Sequence, residues 1–387
     1  MPAPGILEMM QSADVIVVGG GIAGAGAAYE IAAFASVVLL ERETHCGYHS
    51  TGRSAASFTE NYGNSLVRRL AIASRAFLST PPHGFCEHAL LRPQPVITIA
   101  RSDQLLLLQQ QLDQARALVP SITRIAPAEV LARVPILRAD YVTDAFVEPH
   151  AMEIDVHGLH QGYLKGARVR GVRVVVDAGV TAVEHRSERW WVTTPAGIFA
   201  APLIVNAAGA WADLIAIMAG VRPIGLVPKR RTAFTLPVPA GLDSRNWPMI
   251  DDVAEEFYFK PDAGQLFVSP GDATPSAPLD AYPDDLDVAA GVERLERATL
   301  INVTRVSRSW AGLRTFARDA SPVAGLDGSA SGFCWLAGQG GFGIKTSPAL
   351  SRACAALVRG QPLPDEFGRL GIGAHDLSPD RLREPRA

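Results

Sequence analysis

Residues 14–41 read D-V-I-V-V-G-G-G-I-A-G-A-G-A-A-Y-E-I-A-A-F-A-S-V-V-L-L-E, an apolar stretch between two acids in which Glu30 is the one charge. An aliphatic run at 15–18, a glycine cluster, a small-residue segment of helical length and a second aliphatic run at 37–40 predict a buried strand, a tight turn, a helix and a parallel strand. Helical periodicity returns over residues 104–118 and 155–166, and a short helix over 126–134 closes before Pro135. β-Branched runs at 173–183 and 190–194 read as strands, and residues 203–211, L-I-V-N-A-A-G-A-W, as a buried strand returning to the first sheet and ending in a glycine turn. From about 223 to 307 the texture changes to short alternating runs, 231–236, 256–260 and 265–269, separated by Pro, Gly and Asp, which predicts an antiparallel sheet. An apolar strand at 333–337 then leads into Gln339-Gly-Gly-Phe-Gly-Ile-Lys345, a second glycine loop opening a second helix.

The first strand–turn–helix carries chemistry. Gly19, Gly21 and Gly24 spell G-x-G-x-x-G: the first permits the turn, the second lets backbone approach a pyrophosphate, and the third lets helix and strand pack closely. The helix amino end favours the phosphates, and Glu41, closing the second strand, is placed to accept both ribose hydroxyls and to disfavour a 2′-phosphate. The ligand is therefore FAD or NAD, not NADP. Glu30 and the glycines exclude a membrane span across 15–40, and residues 1–12 read as a loose leader without signal-peptide anatomy.

At 387 residues two units are expected, and a net charge of −3 excludes an electrostatic case for nucleic acid or an anionic membrane as partner. Cys46, Cys86, Cys334 and Cys354 lack metal spacing, which predicts no metal and a reducing, cytoplasmic location, with a peripheral position at the inner membrane left open. Cys86-Glu87-His88 reads as incidental, as does the Asn302-Val303-Thr304 sequon, and the Arg-rich tail after Leu382 is the one segment of low complexity.

Glycine loops near both ends of the chain suit a long ligand held at its two extremities, which favours FAD, with the second helix placing its positive end near the pyrimidine side of the isoalloxazine. Over residues 13–362 the sequence resembles the D-amino-acid-oxidase superfamily of flavoproteins, and most closely the bacterial FAD-dependent D-arginine dehydrogenase type. The residues carrying the resemblance are 47–56 (G-Y-H-S-T-G-R-S-A-A), 82–91, 206–211 (N-A-A-G-A-W), 228–231 (P-K-R-R), 257–262 (F-Y-F-K-P-D), 310–314 (W-A-G-L-R) and 339–344 (Q-G-G-F-G-I). The resemblance implies an α/β plus antiparallel-β fold: a discontinuous Rossmann-like FAD-binding domain (13–91, 150–214 and 308–387) under a substrate-binding domain (92–149 and 215–307). It implies noncovalent FAD held by Gly19, Gly21, Gly24, Glu41, Arg42, Ser50, Arg53, Ser54, Ala55, Val180, Gly209, Trp211, Gly340, Gly341, Gly343 and Ile344. It also implies a site in which Arg231 and Arg314 hold a substrate carboxylate, Tyr62 and Tyr258 border it, and Gly312 offers backbone to the amino group. A planar guanidinium is the side chain best matched to a carboxylate. Sarcosine-oxidase relatives carry a carboxylate-binding lysine near the position of Lys345, which is expected to join the clamp.

Several positions depart from the D-arginine pattern. Val96 follows Leu90-Leu-Arg-Pro-Gln-Pro95 where an acid is expected, Ser57 stands for a histidine and Lys345 for a glutamine. A strong preference for basic side chains should therefore be lost. Asp251 and Asp252 are read as exposed loop carboxylates, with a role as substitute acid as the alternative. The resulting expectation is oxidative deamination of D-amino acids to imino acids and then 2-keto acids plus ammonia, by hydride transfer from Cα to flavin, with a quinone, carrier or oxygen as electron acceptor. The rivals are oxidation of secondary amino acids such as sarcosine or proline, and a non-catalytic flavin-binding subunit.

Overall fold

The computed structural model of the chain describes residues 10–383, so the start of the leader and the end of the Arg-rich tail lie outside the described residues. A six-stranded sheet runs in the order Arg173–Val175, Val37–Leu40, Val15–Val18, Leu203–Asn206, Phe333–Ala337, Val323–Leu326, parallel except at the last pair. Its three central aliphatic strands are buried along almost their whole length, as layers on both faces require. One layer is helical: Ile22–Ile31 packs against Gly343–Val358 and Val156–Val169. The approach depends on absent side chains, since a Cβ on Gly24 would lie 1.8 Å from Gly19 O and one on Gly26 2.2 Å from Ser351 Oγ.

The other layer is a four-stranded sheet, Met10–Ser12, Gly197–Ala201, Arg189–Thr194, Ala182–Arg186. Met10–Ser12 pairs in parallel with Gly197–Ala201, so this part of the expected loose leader is a strand. The run at 173–183 is likewise not one strand. Arg173–Val175 belongs to the nucleotide sheet, Ala182–Arg186 to the four-stranded one, and Asp177, at φ 51°, marks the break between them.

The third sheet has ten strands, passing from Gln339–Gly340 through Arg308–Phe316, Val227–Pro237, Gln265–Ser269, Tyr258–Asp262, Met249–Asp252, Val96–Ala100 and Asp144–Glu148 to Thr123–Ile125, with Thr274–Pro275 pairing Val227–Pro237 off this path. Arg308–Phe316, expected within the FAD-binding unit, pairs along Val227–Pro237 from Val227↔Phe316 to Thr235↔Arg308 and lies near one edge of the large sheet. Helix Asp285–Ala298 lies inside the stretch read as short strands. It is capped by Asp284, which accepts from Leu286 N, and it sends Leu295 and Ala298 into the core on one face of the sheet with Phe234, Ile250, Phe259 and Val268.

The opposite face carries the chemistry, because residues directly across a ladder share a face and alternate residues do too. Arg231 pairs Gly312, Arg314 follows Gly312 by two, Tyr258 pairs both Ser269 and Asp251, and Val96 pairs both Met249 and Glu148. Residues scattered from Val96 to Arg314 thus stand on one surface.

Candidate active site

A cleft of about 630 Å³ runs from Gly19, Gly21, Glu41 and Arg42, past Ser50, Arg53, Ser54 and Ala55, to Arg231, Tyr258, Gly312 and Arg314. Val180, Gly209 and Trp211 line its nucleotide end, and Gly340, Gly341, Gly343 and Ile344 its far end. Every residue expected to hold the cofactor lines this cleft except Gly24, which packs beneath it.

The first glycine loop is aimed by side chains from elsewhere. Glu41 Oε2 accepts from Gly20 N at 2.7 Å and Oε1 from Glu43 N at 2.9 Å, so the acid braces the loop, and each oxygen keeps a second lone pair for a ribose hydroxyl. Ile22 N, at the helix amino end, donates to Thr51 Oγ1 at 3.0 Å, and His160 Nε2 donates to Gly20 O at 2.9 Å. Thr51 and His160 were not singled out from sequence. Thr51 lies inside the motif at 47–56, whereas His160 had no local signal. Neither helix pointing at the cleft, Ile22–Ile31 or Gly343–Val358, is capped by its own N-cap side chain, which leaves amide donors for an anion.

Segment 47–56 joins the two main sheets. Ser50 Oγ donates to Leu313 O at 2.6 Å, and Arg53 donates to Ala281 O, Ala311 O and Asp280 Oδ1 at 2.8, 3.0 and 2.5 Å. Arg53 therefore holds the cleft wall in shape, with its charge already paired. Arg42 packs 4.9 Å over the Trp211 ring.

At the far end Arg314 donates to Tyr62 Oη at 3.5 Å and to Tyr258 Oη at 3.3 Å, long bonds to neutral oxygens that a carboxylate would outcompete. Its guanidinium lies against Gly341, where a Cβ would stand 3.0 Å from Cζ. Arg231 Nε is buried without a hydrogen-bond partner among the described residues, and so is Gln339 Nε2 on the same cleft. Burial raises the Tyr62 hydroxyl above its usual pKa, with nearby Arg314 opposing, so it remains a neutral donor.

Two expectations change here. Asp251 and Asp252 are not exposed loop carboxylates, for both belong to strand Met249–Asp252. Asp252 is fully buried and accepts from Ala254 N and Gln104 Nε2, facing away from Tyr258. Asp251 is partly buried beside Tyr258, and burial, then Glu255 and Asp252, hold its carboxyl well above the usual carboxylate range despite Arg231 and Arg314 nearby. Lys345 does not join the clamp. Buried at 3% exposure, it donates to Thr59 O at 2.8 Å and Tyr62 O at 2.7 Å, and burial pushes its pKa down to about 7. Its neighbour Ile344 is the residue facing the cleft, since successive helical positions point about 100° apart.

The cleft therefore fits FAD on three grounds: a glycine turn with open backbone at one helix end, a second uncapped helix end beyond it, and a length linking the two. None of the four cysteines lines it, and His49, which does, packs against Trp211 with Nε2 2.9 Å from Glu43 Oε1. Acid or heat is accordingly expected to release the yellow cofactor completely into solution; flavin remaining on the denatured chain after gel filtration would refute noncovalent binding.

Comparison with known proteins places these features. Residues 14–357 match the family model described as "DAO: FAD dependent oxidoreductase". Dimethylglycine dehydrogenase, mitochondrial, of Rattus norvegicus is 26% identical over 374 residues, covering 87% of this chain and 42% of that protein. The chain thus spans about two fifths of the length of the curated relatives it matches first. L-proline dehydrogenase from P. horikoshii superposes with a TM-score of 0.79 at 20% identity, covering 96% of this chain and 98% of that one. Glycine oxidase from Geobacillus kaustophilus does so with a TM-score of 0.79 at 21% identity, covering 90% and 95%. These likenesses support the superfamily and its fold, not the D-arginine dehydrogenase type within it; the motifs at 19–24, 206–211 and 339–344 are those expected to meet the cofactor and carry little about a substrate side chain. With model, fold and cleft in agreement, the chain belongs to the DAO family of FAD-dependent oxidoreductases.

Proposed function

We propose that this chain oxidises the carbon–nitrogen bond of a small amino carboxylate whose nitrogen carries an alkyl group, the class to which sarcosine, dimethylglycine and proline belong. The observation that carries the reading is the clamp: Arg314, with Tyr62 and Tyr258 on its two amino groups, beside Arg231 with a buried unpaired Nε. A carboxylate seated there lies beside Gly312, whose backbone faces the cleft and can orient the nitrogen. The likeness to dimethylglycine dehydrogenase supports N-alkyl substrates over primary D-amino acids.

When bound, FAD supplies the two-electron acceptor for the hydride leaving the carbon next to nitrogen. The chain's own contribution is to bind and orient. Arg314 and Arg231 hold the carboxylate, and the two tyrosines keep the guanidinium planar to it. Hydrolysis of the resulting iminium by water gives an amine and a carbonyl product.

D-Amino acids are the second reading, supported by the joint presence of Arg231, Arg314, Tyr258 and Gly312 on one sheet face, with Tyr62 meeting Arg314 from its loop. In that case Val96, buried at 8% exposure and flanked by Met249 and Glu148, offers no charge to a distal guanidinium. D-Arg should then hold no large advantage over D-Leu, D-Met or D-Phe, and Asp251→Asn tests the acid that stands beside Tyr258.

The deciding experiment is anaerobic mixing of the flavin-loaded protein with sarcosine, dimethylglycine, L-proline, glycine and D- and L-amino acids, following loss of flavin absorbance. Fastest bleaching by an N-alkyl substrate is expected. Bleaching by D-amino acids alone would replace the first reading with the second, and bleaching by none would end both.

A further inference from the structure

Two buried charges outside the cleft converge on one short loop. Residues 59–62, Thr-Glu-Asn-Tyr, connect strand Ser57–Phe58 to the turn before helix Ser65–Ser79. Lys345 Nζ donates to the first and last carbonyls of this loop, Thr59 O at 2.8 Å and Tyr62 O at 2.7 Å. From the other side Glu148, at 3% exposure, accepts from Thr59 Oγ1 at 2.6 Å and from Glu60 N at 2.9 Å. The Lys345 ammonium also lies 5.4 Å from the centre of the Tyr62 ring, which packs edge-on against Phe342 at 5.1 Å. The loop's backbone is thus held at both ends by one side chain from the helix Gly343–Val358 and through its first turn by one from the strand Asp144–Glu148. The Tyr62 hydroxyl reaches from the loop to Arg314, whose Nη1 donates to it at 3.5 Å.

Charges buried this deeply are costly to desolvate, and apolar residues of similar volume commonly serve stability as well or better. The contacts of this pair are concentrated on the loop that presents Tyr62. We propose that Lys345 and Glu148 are positioning residues for Tyr62: by fixing loop 59–62 they set the affinity of the carboxylate clamp, and neither touches the substrate. This rests on the carboxylate reading of Arg314 given above.

The test uses the flavin-loaded full chain and acetate, a bare carboxylate, with binding read from the perturbation of the flavin absorption spectrum. Lys345→Met is expected to weaken acetate about tenfold and to raise the substrate KM similarly, with kcat changed far less and flavin content per chain retained. Lys345→Gln, whose amide has two N–H donors, should recover part of the loss. Thr59→Val, which removes the hydroxyl that donates to Glu148 and accepts from Asn61 N, should weaken acetate in the same direction and serves as the primary variant if Lys345→Met does not retain flavin. The decisive comparison is in a Tyr62→Phe background, where Lys345→Met should add little further loss because the hydroxyl it positions is gone. A wild-type flavin that acetate does not perturb would overturn the carboxylate reading and this proposal together. Wild-type binding that Lys345→Met and Thr59→Val leave unchanged would overturn the positioning role alone, as would a full additive loss in the Tyr62→Phe background.

Discussion

Arg314→Met is expected to weaken binding of a carboxylate substrate by roughly ten- to a hundredfold, the equivalent of a charge-assisted hydrogen bond contributing about 1.5–3 kcal/mol. The guanidinium is half-buried, with Tyr62 and Tyr258 as its hydrogen-bond partners and Gly341 against it, so methionine occupies much of the same space and removes the donors. Flavin content should stay near the wild-type level, because the pyrophosphate end of the cleft lies at Gly19, Gly21 and the start of the helix Ile22–Ile31. Steady-state kinetics with acetate as competing ligand measure the effect. An unchanged KM with full flavin content would remove Arg314 from the clamp and leave Arg231 to carry it. Arg231→Met should act in the same direction, since its buried Nε awaits an acceptor.

The second large effect is loss of the cofactor itself. Gly21→Val is expected to cut flavin retained through purification by tenfold or more, about 1.4 kcal/mol or beyond in binding. The structure separates this from a folding defect. A Cβ on Gly21 meets only Thr51 Oγ1, at 3.3 Å, and the residue sits at φ −72°, a conformation open to any amino acid. The protein alone therefore gives little reason for glycine there; the surface it keeps bare is the one facing the cleft, where a pyrophosphate must approach backbone. Gly24 offers the contrast. Its Cβ would fall 1.8 Å from Gly19 O, so Gly24→Ala should lower thermal stability as well as flavin content. Flavin-to-protein absorbance ratios and melting curves of the two variants decide the matter, and a Gly21→Val protein that stays fully yellow would refute the assignment of the first loop to the cofactor.

Local pattern was enough for the nucleotide half of the molecule. The strand Val15–Val18, the helix Ile22–Ile31 and the strand Val37–Leu40 follow from aliphatic runs broken by glycines, and the ladder sets them side by side as expected. The strands Phe333–Ala337 and Gln265–Ser269 were legible to the residue, and the helix at 155–166 begins at its Asp155 cap, which accepts from Gly158 N at 2.8 Å. Helix Asp285–Ala298 was missed inside the strand-rich stretch, although Val288, Gly291, Leu295 and Ala298 recur at helical spacing, because the flanking Pro and Asp residues set the reading of the whole segment. The end of the strand at Val175 depended on Asp177 taking a left-handed conformation, which an aspartate only sometimes adopts.

The order of glycines, aliphatic runs and acids along the chain determined by itself that this protein holds a dinucleotide, whereas the arginines and tyrosines proposed for its site came from a family resemblance carried by motifs far apart in sequence. The nucleotide reading succeeds because turn geometry and strand burial are local demands, met by residues a few positions apart. Only tertiary structure decided which charged groups serve the ligand and which serve one another. Lys345 and Ile344 are adjacent, yet one braces loop 59–62 and the other faces the cleft, because helical rotation sends them to different neighbours. Asp251 and Asp252 likewise part to opposite faces of one strand, the first beside Tyr258 and the second toward Gln104. The role of a buried charge is set by the partner it meets, and here Lys345 meets residues nearly 300 positions away, at a distance where sequence spacing carries no information.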